Sequence, residues 1–176
     1  MDVIVPILAA AVRSGTPILY ATLGEILTER SGVLNLGIEG LMLMGAFSGF
    51  IVTNTTGNPW LGVAAAFIVG VAVATIHAFL CVTIGANQVV SGLAITMFGT
   101  GASSLLGRGM IGETVGGFAR MPLPFLSKIP VLGPVLFDHD PLVYFSYFLV
   151  AFLTWFIFST RPGLNLRAVG ESPKVV

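Results

Sequence analysis

Few residues in this chain have side chains suited to chemistry, and many of those sit between Glu29 and Gly40: Glu-Arg-Ser-Gly-Val-Leu-Asn-Leu-Gly-Ile-Glu-Gly. From Leu41 to Gly107 there is no Asp, Glu, Lys or Arg. His77 and His139 are the only histidines, Cys81 the single cysteine, and Lys128 and Lys174 the only lysines. This set argues against catalysis. There is no HExxH, no CxxC and no paired-ligand spacing, so no metal site is expected. No GxxxxGK[ST] loop is present, so the chain has no P-loop for ATP, and ATP-driven work would need a separate ATPase chain. No cofactor of its own is expected. Cys81 cannot form an intrachain disulfide and says nothing of redox compartment. A formal net charge of zero argues against a nucleic-acid partner.

Handling a polar solute is the chemistry that remains, and Glu39 is its leading candidate. If a helix enters the membrane near Arg30, nine residues at 1.5 Å each place Glu39 about 13 Å deep. An ionisable group at that depth either serves a translocation path or is a structural carboxyl bonded to neighbouring backbone. Asn35, four residues earlier, would share its helix face one turn shallower. Gly32, Gly37 and Gly40 permit a break in the helix that would turn amides toward a polar solute. Glu25 and Glu29 fall nearer the interface, solvated or paired with Arg30. Asn87 and Gln88 read first as the cap of a helix. With Ser91 they also form a candidate polar lining of the path. His77 suits either a proton path or a hydrogen bond between helices. Phe47, Phe50 and Phe98 are candidates for stacking on a solute, though phenylalanine is equally at home against lipid.

The elements that must position these residues are membrane helices. The chain is 55% hydrophobic and 9% charged, against about 25% charged in soluble domains. Most of its surface must therefore face lipid. A hydrocarbon core about 30 Å thick needs roughly 20 apolar residues per helix. That criterion predicts five spans, at about 3–27, 33–52, 60–84, 89–106 and 142–159. Asn58-Pro59 opens the third, with Trp60 as an interfacial anchor. No strand alternation is present, which excludes an outer-membrane barrel. The expected fold is all-α, a polytopic transmembrane helix bundle. Gly45 and Gly49 on the second span make a GxxxG pair. Gly62, Ala66, Gly70, Ala74 and Ala78 recur every four residues on the third, and such small faces let backbones approach closely. The segment 108–141, with five prolines from Pro122 to Pro141, cannot span as a helix. Its apolar stretch from Phe125 to Phe137 suggests a short re-entrant or interfacial piece. After the fifth span, residues 161–176 turn polar and basic. Asp2 stands where a cleavable signal would have a basic region, so no signal peptide is read. An odd number of spans puts the termini on opposite sides, and the Lys/Arg count favours a cytoplasmic C-terminal tail.

With the chain read, residues 29–40, followed by Met42, Gly45 and Ala46, resemble the permease signature of bacterial ABC importers. The group is the one that spans branched-chain amino acid, simple-sugar and nucleoside systems. Asn87-Gln88-Val89-Val90-Ser91-Gly92-Leu93-Ala94 is similar to its next recurring block. Ile129-Pro130-Val131-Leu132-Gly133-Pro134 and Arg167-Ala168-Val169-Gly170-Glu171-Ser172-Pro173-Lys174 continue the match in order. The Glu-Arg-Ser-Gly opening and the proline-rich loop look most like the nucleoside (basic-membrane-protein-associated) subgroup.

The resemblance implies alternating access, driven by a partner ABC ATPase and completed by a second permease subunit. It implies that Asn165, Arg167, Gly170, Glu171 and Pro173 couple to the ATPase through a short helix lying across the membrane face. Loop 108–141 would face outward, toward an extracytoplasmic substrate-binding protein. The expected location is a bacterial or archaeal cytoplasmic membrane, multi-pass. In the family the coupling segment lies mid-chain with further spans after it, and paired alanines often stand where this chain has Val175-Val176. Residues 1–176 are therefore expected to be the N-terminal portion of a longer permease fold, as a fragment or a natural truncation lacking one wall of the pathway. Two rival readings remain. One is an ion- or proton-coupled carrier or channel acting as a homo-oligomer, with Arg13, Glu39 and His77 as the available relay. The other is a scaffold protein with no transport role.

Overall fold

The computed structural model describes residues 3–172, apart from the side chain of Lys128. The described residues contain helices and turns and no strand. Seven α-helices follow in order: α1 Ile4–Arg30, α2 Ile38–Thr56, α3 Pro59–Ala78, α4 Gln88–Leu106, α5 Leu132–Leu136, α6 Pro141–Ser159 and α7 Arg161–Glu171. A π-helical turn, Phe79–Thr83, extends α3, and a 3₁₀ turn, Gly107–Met110, extends α4. With those extensions, five helices are long and apolar enough to cross a membrane: α1, α2, α3, α4 and α6. The chain forms two compact units, one of Thr28–Gly117 and the other of residues up to Leu27 together with those from Phe118 onward.

In the first of these units, the helix ends are written in the local sequence. Gly32, at φ 86°, closes the end of α1. The Val33 amide donates to the Thr28 carbonyl and the Gly32 amide to Glu29, each at 3.0 Å. This is the paired C-terminal motif that a left-handed glycine permits. Gly57, at φ 67°, ends α2 in the same conformation, and Asn58 caps α3 by accepting from the Trp60 amide at 2.9 Å. Asn87 caps α4, its Oδ1 accepting from Val89 and Val90.

The second helix differs from expectation. It starts at Ile38 rather than near residue 33, and residues 31–37 belong to no helix. Asn35 and Glu39 therefore do not share a helix face, and no run of helix separates Arg30 from Glu39. The cause is local: the Gly32 closure stops α1, and the Asn35 Oδ1 accepts from the Gly37 amide at 2.9 Å. That Asx turn competes with helical bonding.

The small-residue faces pack as a short seam. A Cβ at Gly49 would lie 3.2 Å from the Gly62 carbonyl oxygen, and one at Gly62 would collide with Thr53 Oγ1. A Cβ at Gly45 would meet Ala66 only at ordinary contact distance. Gly70 meets nothing within 4 Å, so the α2–α3 contact does not run the length of α3. A four-residue repeat advances about 40° per step beyond a full turn, so the stripe rotates out of the interface within two steps. Val73 and His77 take over as the buried positions of α3.

In the other unit, Asp140 caps α6 by accepting from the Leu142 amide at 3.0 Å. Its other oxygen lies 3.8 Å from Arg13 on α1. The Tyr20 hydroxyl donates to the Leu142 carbonyl at 2.6 Å, tying α1 to the same end of α6. The proline-rich segment folds back on itself: the Met121 amide donates to the His139 carbonyl and the Leu123 amide to Phe137. Between those arms lie a 3₁₀ turn at Leu126–Lys128 and the single-turn α5. The stretch expected to be re-entrant or interfacial is thus two short helical pieces. α7 then leaves α6 through a sharp corner. Thr160 caps it, accepting from the Gly163 amide at 3.1 Å, and any Cβ at Gly163 would strike the Phe156 carbonyl.

Candidate functional site

A non-helical loop among apolar helices leaves backbone polar groups that must be satisfied internally. Residues 31–37 are such a loop, and side chains from α3 and α4 hold it. The Leu34 amide donates to Gln88 Oε1 at 2.8 Å, while Gln88 Nε2 donates to the Gly32 carbonyl at 3.4 Å. His77 Nε2 lies 3.3 Å from the Leu34 carbonyl, and its Nδ1 lies 3.0 Å from Ser91 Oγ. A carbonyl can only accept, so Nε2 donates to it, and in the neutral imidazole Nδ1 then accepts from the serine hydroxyl. Thr96 Oγ1 donates to the Leu36 carbonyl at 2.9 Å. The amide and the carbonyl of Leu34 are thus both taken by side chains from other helices.

Glycines on α4 bring the loop this close. A Cβ at Gly92 would sit 2.7 Å from the Leu36 nitrogen and 3.0 Å from the Gly37 nitrogen. One at Gly99 would sit 2.5 Å from Gly40 Cα. Loop and α4 therefore touch backbone to backbone, where only glycine fits.

Among the residues singled out from the sequence, Asn35, Gln88 and Ser91 are brought together here. Asn35 is buried and makes the loop's Asx turn, Gln88 bonds the loop directly, and Ser91 is buried behind His77. Asn87 stands apart as the cap of α4. Glu39 stands in the first turn of α2 with its side chain exposed. His77 holds two helices and the loop together, which is the hydrogen-bonded alternative; the relay group Arg13 pairs with Asp140. Thr96, Gly92 and Gly99 were not singled out. Gly92 and Gly99 are seven apart, two turns on one helix face, a spacing that marks a close-approach face once the neighbour is known.

Of the expected coupling residues, Asn165, Arg167, Gly170 and Glu171 all lie on α7. Asn165 and Glu171 are exposed, while Arg167 is half-buried with its guanidinium 5.5 Å from the centre of the Phe158 ring. Pro173 lies outside the described residues. No cluster of three or more metal-ligating side chains occurs among the described residues.

Five helices long and apolar enough to cross a membrane among the described residues, with an irregular stretch held at Leu34 and Leu36 by side chains of neighbouring helices, define a multi-pass membrane protein. The chain belongs to the family described as branched-chain amino acid transport system / permease component, whose family model matches residues 7–176. It is 41% identical over 173 residues to a putative glucose ABC transporter permease protein of Haloferax volcanii, covering 96% of this chain and 53% of that protein. It is 36% identical to a guanosine ABC transporter permease protein of Bacillus subtilis, covering 98% of this chain and 57% of the relative. A nucleoside ABC transporter permease protein of Lactococcus lactis subsp. cremoris is 34% identical, with 90% and 54% covered. The chain thus spans about half the length of the curated relatives it matches. No solved structure matches it.

Proposed function

We propose that this chain is the membrane-spanning permease part of an ATP-binding cassette importer in a bacterial or archaeal cytoplasmic membrane. It moves a small polar solute by alternating access, and a separate ATPase supplies the energy. The observation that carries this reading is the signature loop: irregular backbone, buried among apolar helices and held at Leu34 and Leu36 by Gln88, His77 and Thr96. Such backbone persists at membrane depth only where protein buries it or it lines a polar cavity. Solute handling gives that arrangement a purpose, with Asn35, Glu39, Gln88 and Ser91 nearest the path.

The solute is a nucleoside first, as the names of the Bacillus and Lactococcus relatives suggest. A simple sugar is second, favoured by the name of the Haloferax relative. α7, with Asn165, Arg167, Gly170 and Glu171, serves as the coupling segment on the ATPase. A second permease subunit and a substrate-binding protein meeting loop 108–141 complete the system.

The test is co-purification of the ATPase with full-length permease from membranes. Glu171→Arg alone, at an exposed position, leaves the helix intact, and Arg167→Glu/Glu171→Arg reverses both charges. ATPase capture by the wild type, weakened in the single variant and lost in the double, supports the assignment. Equal capture by all three overturns the role of α7. No capture by the wild type overturns the importer reading.

A further inference from the structure

The fold-back between Met121 and Phe137 is built from one device used twice. Leu123-Pro124-Phe125-Leu126-Ser127 is answered by Ile129-Pro130-Val131-Leu132-Gly133. In each copy the amide after the middle residue donates to the proline carbonyl, Leu126 to Pro124 at 3.0 Å and Leu132 to Pro130 at 2.9 Å. Phe125 and Val131 are held at φ 69° with ψ −46° and −59°, a γ-turn that is rare because it strains any residue with a Cβ. A second bond closes a helical turn over each, Ser127 to Leu123 at 3.0 Å and Gly133 to Ile129 at 2.8 Å. The copies meet backbone to backbone, since a Cβ at Gly133 would strike the Ser127 carbonyl.

Two consequences point the same way. The first concerns backbone donors. Pro122, Pro124, Pro130 and Pro134 have no amide proton, and the bonds above, with Ile129 to Leu126 at 3.3 Å and Phe137 to Gly133 at 2.8 Å, use carbonyls of the same short stretch. Water would satisfy such amides without strained turns, whereas a boundary poor in water would not. The second concerns side chains. Phe125 is 85% exposed, and Met121 and Leu132 are each more than half exposed. Lys128 is the single charged residue from Met121 to Phe137. Strained backbone is retained where the surroundings fix it, and here it turns apolar side chains outward.

The neck of the fold-back joins a surface that already faces lipid. The Tyr144 hydroxyl donates to the Met121 carbonyl at 3.0 Å and accepts from the His139 amide at 3.1 Å, so the neck is rooted on the first turn of α6. Next along that span stand Phe145 and Phe148, exposed as lipid-facing residues are. Arg120 and Asp138, 3.7 Å apart, and the Arg13–Asp140 pair put charge at the neck, beside Tyr20 and Tyr144. Charges and tyrosines at one level mark a membrane–water boundary.

We propose that the fold-back 121–137 docks on the lipid surface, with Phe125 and Leu132 set into the boundary between headgroups and acyl chains, continuous with the lipid-facing side of α6. The inference goes beyond the permease reading and stands on the membrane-spanning class alone. It leaves the rest of loop 108–141 for a protein partner.

The experiment places a nitroxide on the full-length chain, freed of other cysteines by Cys81→Ala and its equivalents, in vesicles of phosphatidylethanolamine and phosphatidylglycerol. Phe125→Cys and Leu132→Cys carry the label on the fold-back. Phe148→Cys is the lipid reference, and Ala119→Cys, exposed beside Arg120, is the aqueous one. All four positions are exposed, and cysteine at φ 69° is no more strained than the phenylalanine it replaces. Collision is read with oxygen, which partitions into lipid, and with a water-soluble nickel chelate, which does not. Labels at 125 and 132 are expected to match the one at 148, with oxygen ahead of nickel, and the order reverses at 119. Nickel ahead of oxygen at 125 and 132 places the fold-back in water and overturns the proposal. Low collision with both reagents there means that protein covers it, and overturns the proposal equally.

Discussion

Gly92→Ala should unseat the signature loop. The added methyl would lie 2.7 Å from the Leu36 nitrogen and 3.0 Å from Leu36 Cα, where ordinary contact begins at 3.4 Å. The loop must therefore retreat by about 0.7 Å, because the obstacle is backbone rather than a flexible side-chain tip. The Thr96–Leu36 bond at 2.9 Å then stretches past a useful length, and the His77–Leu34 bond, already 3.3 Å, is lost first. Overpacking costs about 1–3 kcal/mol, and two weakened hydrogen bonds add about 0.5–1.5 kcal/mol each. Alanine's helix preference returns up to about 1 kcal/mol, leaving a net loss of about 3 kcal/mol. At about 2–4 °C per kcal/mol for a chain of this size, the melting temperature should fall by about 6–12 °C. Cys81, buried and the single cysteine, supplies the readout: a thiol-reactive fluorogenic dye labels it as the detergent-solubilised protein unfolds. Gly70→Ala is the control, since nothing lies within 4 Å of its added methyl. It should melt at or slightly above the wild-type temperature. If Gly92→Ala melts within about 1 °C of wild type, the backbone contact between loop and α4 is refuted.

Two further outcomes follow from the hydrogen bonds. His77→Leu removes the donor to the Leu34 carbonyl and the acceptor for Ser91. It should cost about 1–3 kcal/mol through unpaired buried groups and expose Cys81 to dye at lower temperature; an unchanged melting curve would show that the imidazole does not hold the loop. Asp140→Ala removes the α6 cap and should cost about 1 kcal/mol. Arg13→Ala removes only an ion pair, whose arginine side chain is 49% exposed, and should cost between about 0 and 1 kcal/mol. Asp140→Asn keeps the capping oxygen, so thermal melts should rank it close to Arg13→Ala; a loss as large as that of Asp140→Ala would mean the charge rather than the cap matters.

Much of this was readable in the chain itself. Sparse charge over long apolar runs specifies membrane helices without reference to any contact, because lipid leaves few alternatives for a polar backbone. Asn58-Pro59 and Asn87 announced helix starts, since a cap acts on amides two or three residues away. The signature, too, was visible as a cluster of glycines and polar groups. Its shape was not. Reading residues 33–52 as helix placed Glu39 two turns in, whereas Gly32 and the Asn35 turn delay the helix to Ile38. Gly32 after a basic last turn was a signal of that closure.

Other features depend on residues far apart in sequence. That Gln88 would accept from Leu34, or that Gly92 would touch Leu36, follows from which helix lies beside the loop. Neither residue's local sequence contains that information. Gly62 and Gly70 look alike in the chain, yet one is sealed against Gly49 and the other open, because a four-residue stripe rotates away from a partner helix. Periodicity and composition act along one chain axis and so specify class, helices and caps. Which carbonyl a buried histidine meets is set by packing between helices, and that geometry turns a run of glycines into a held, irregular loop.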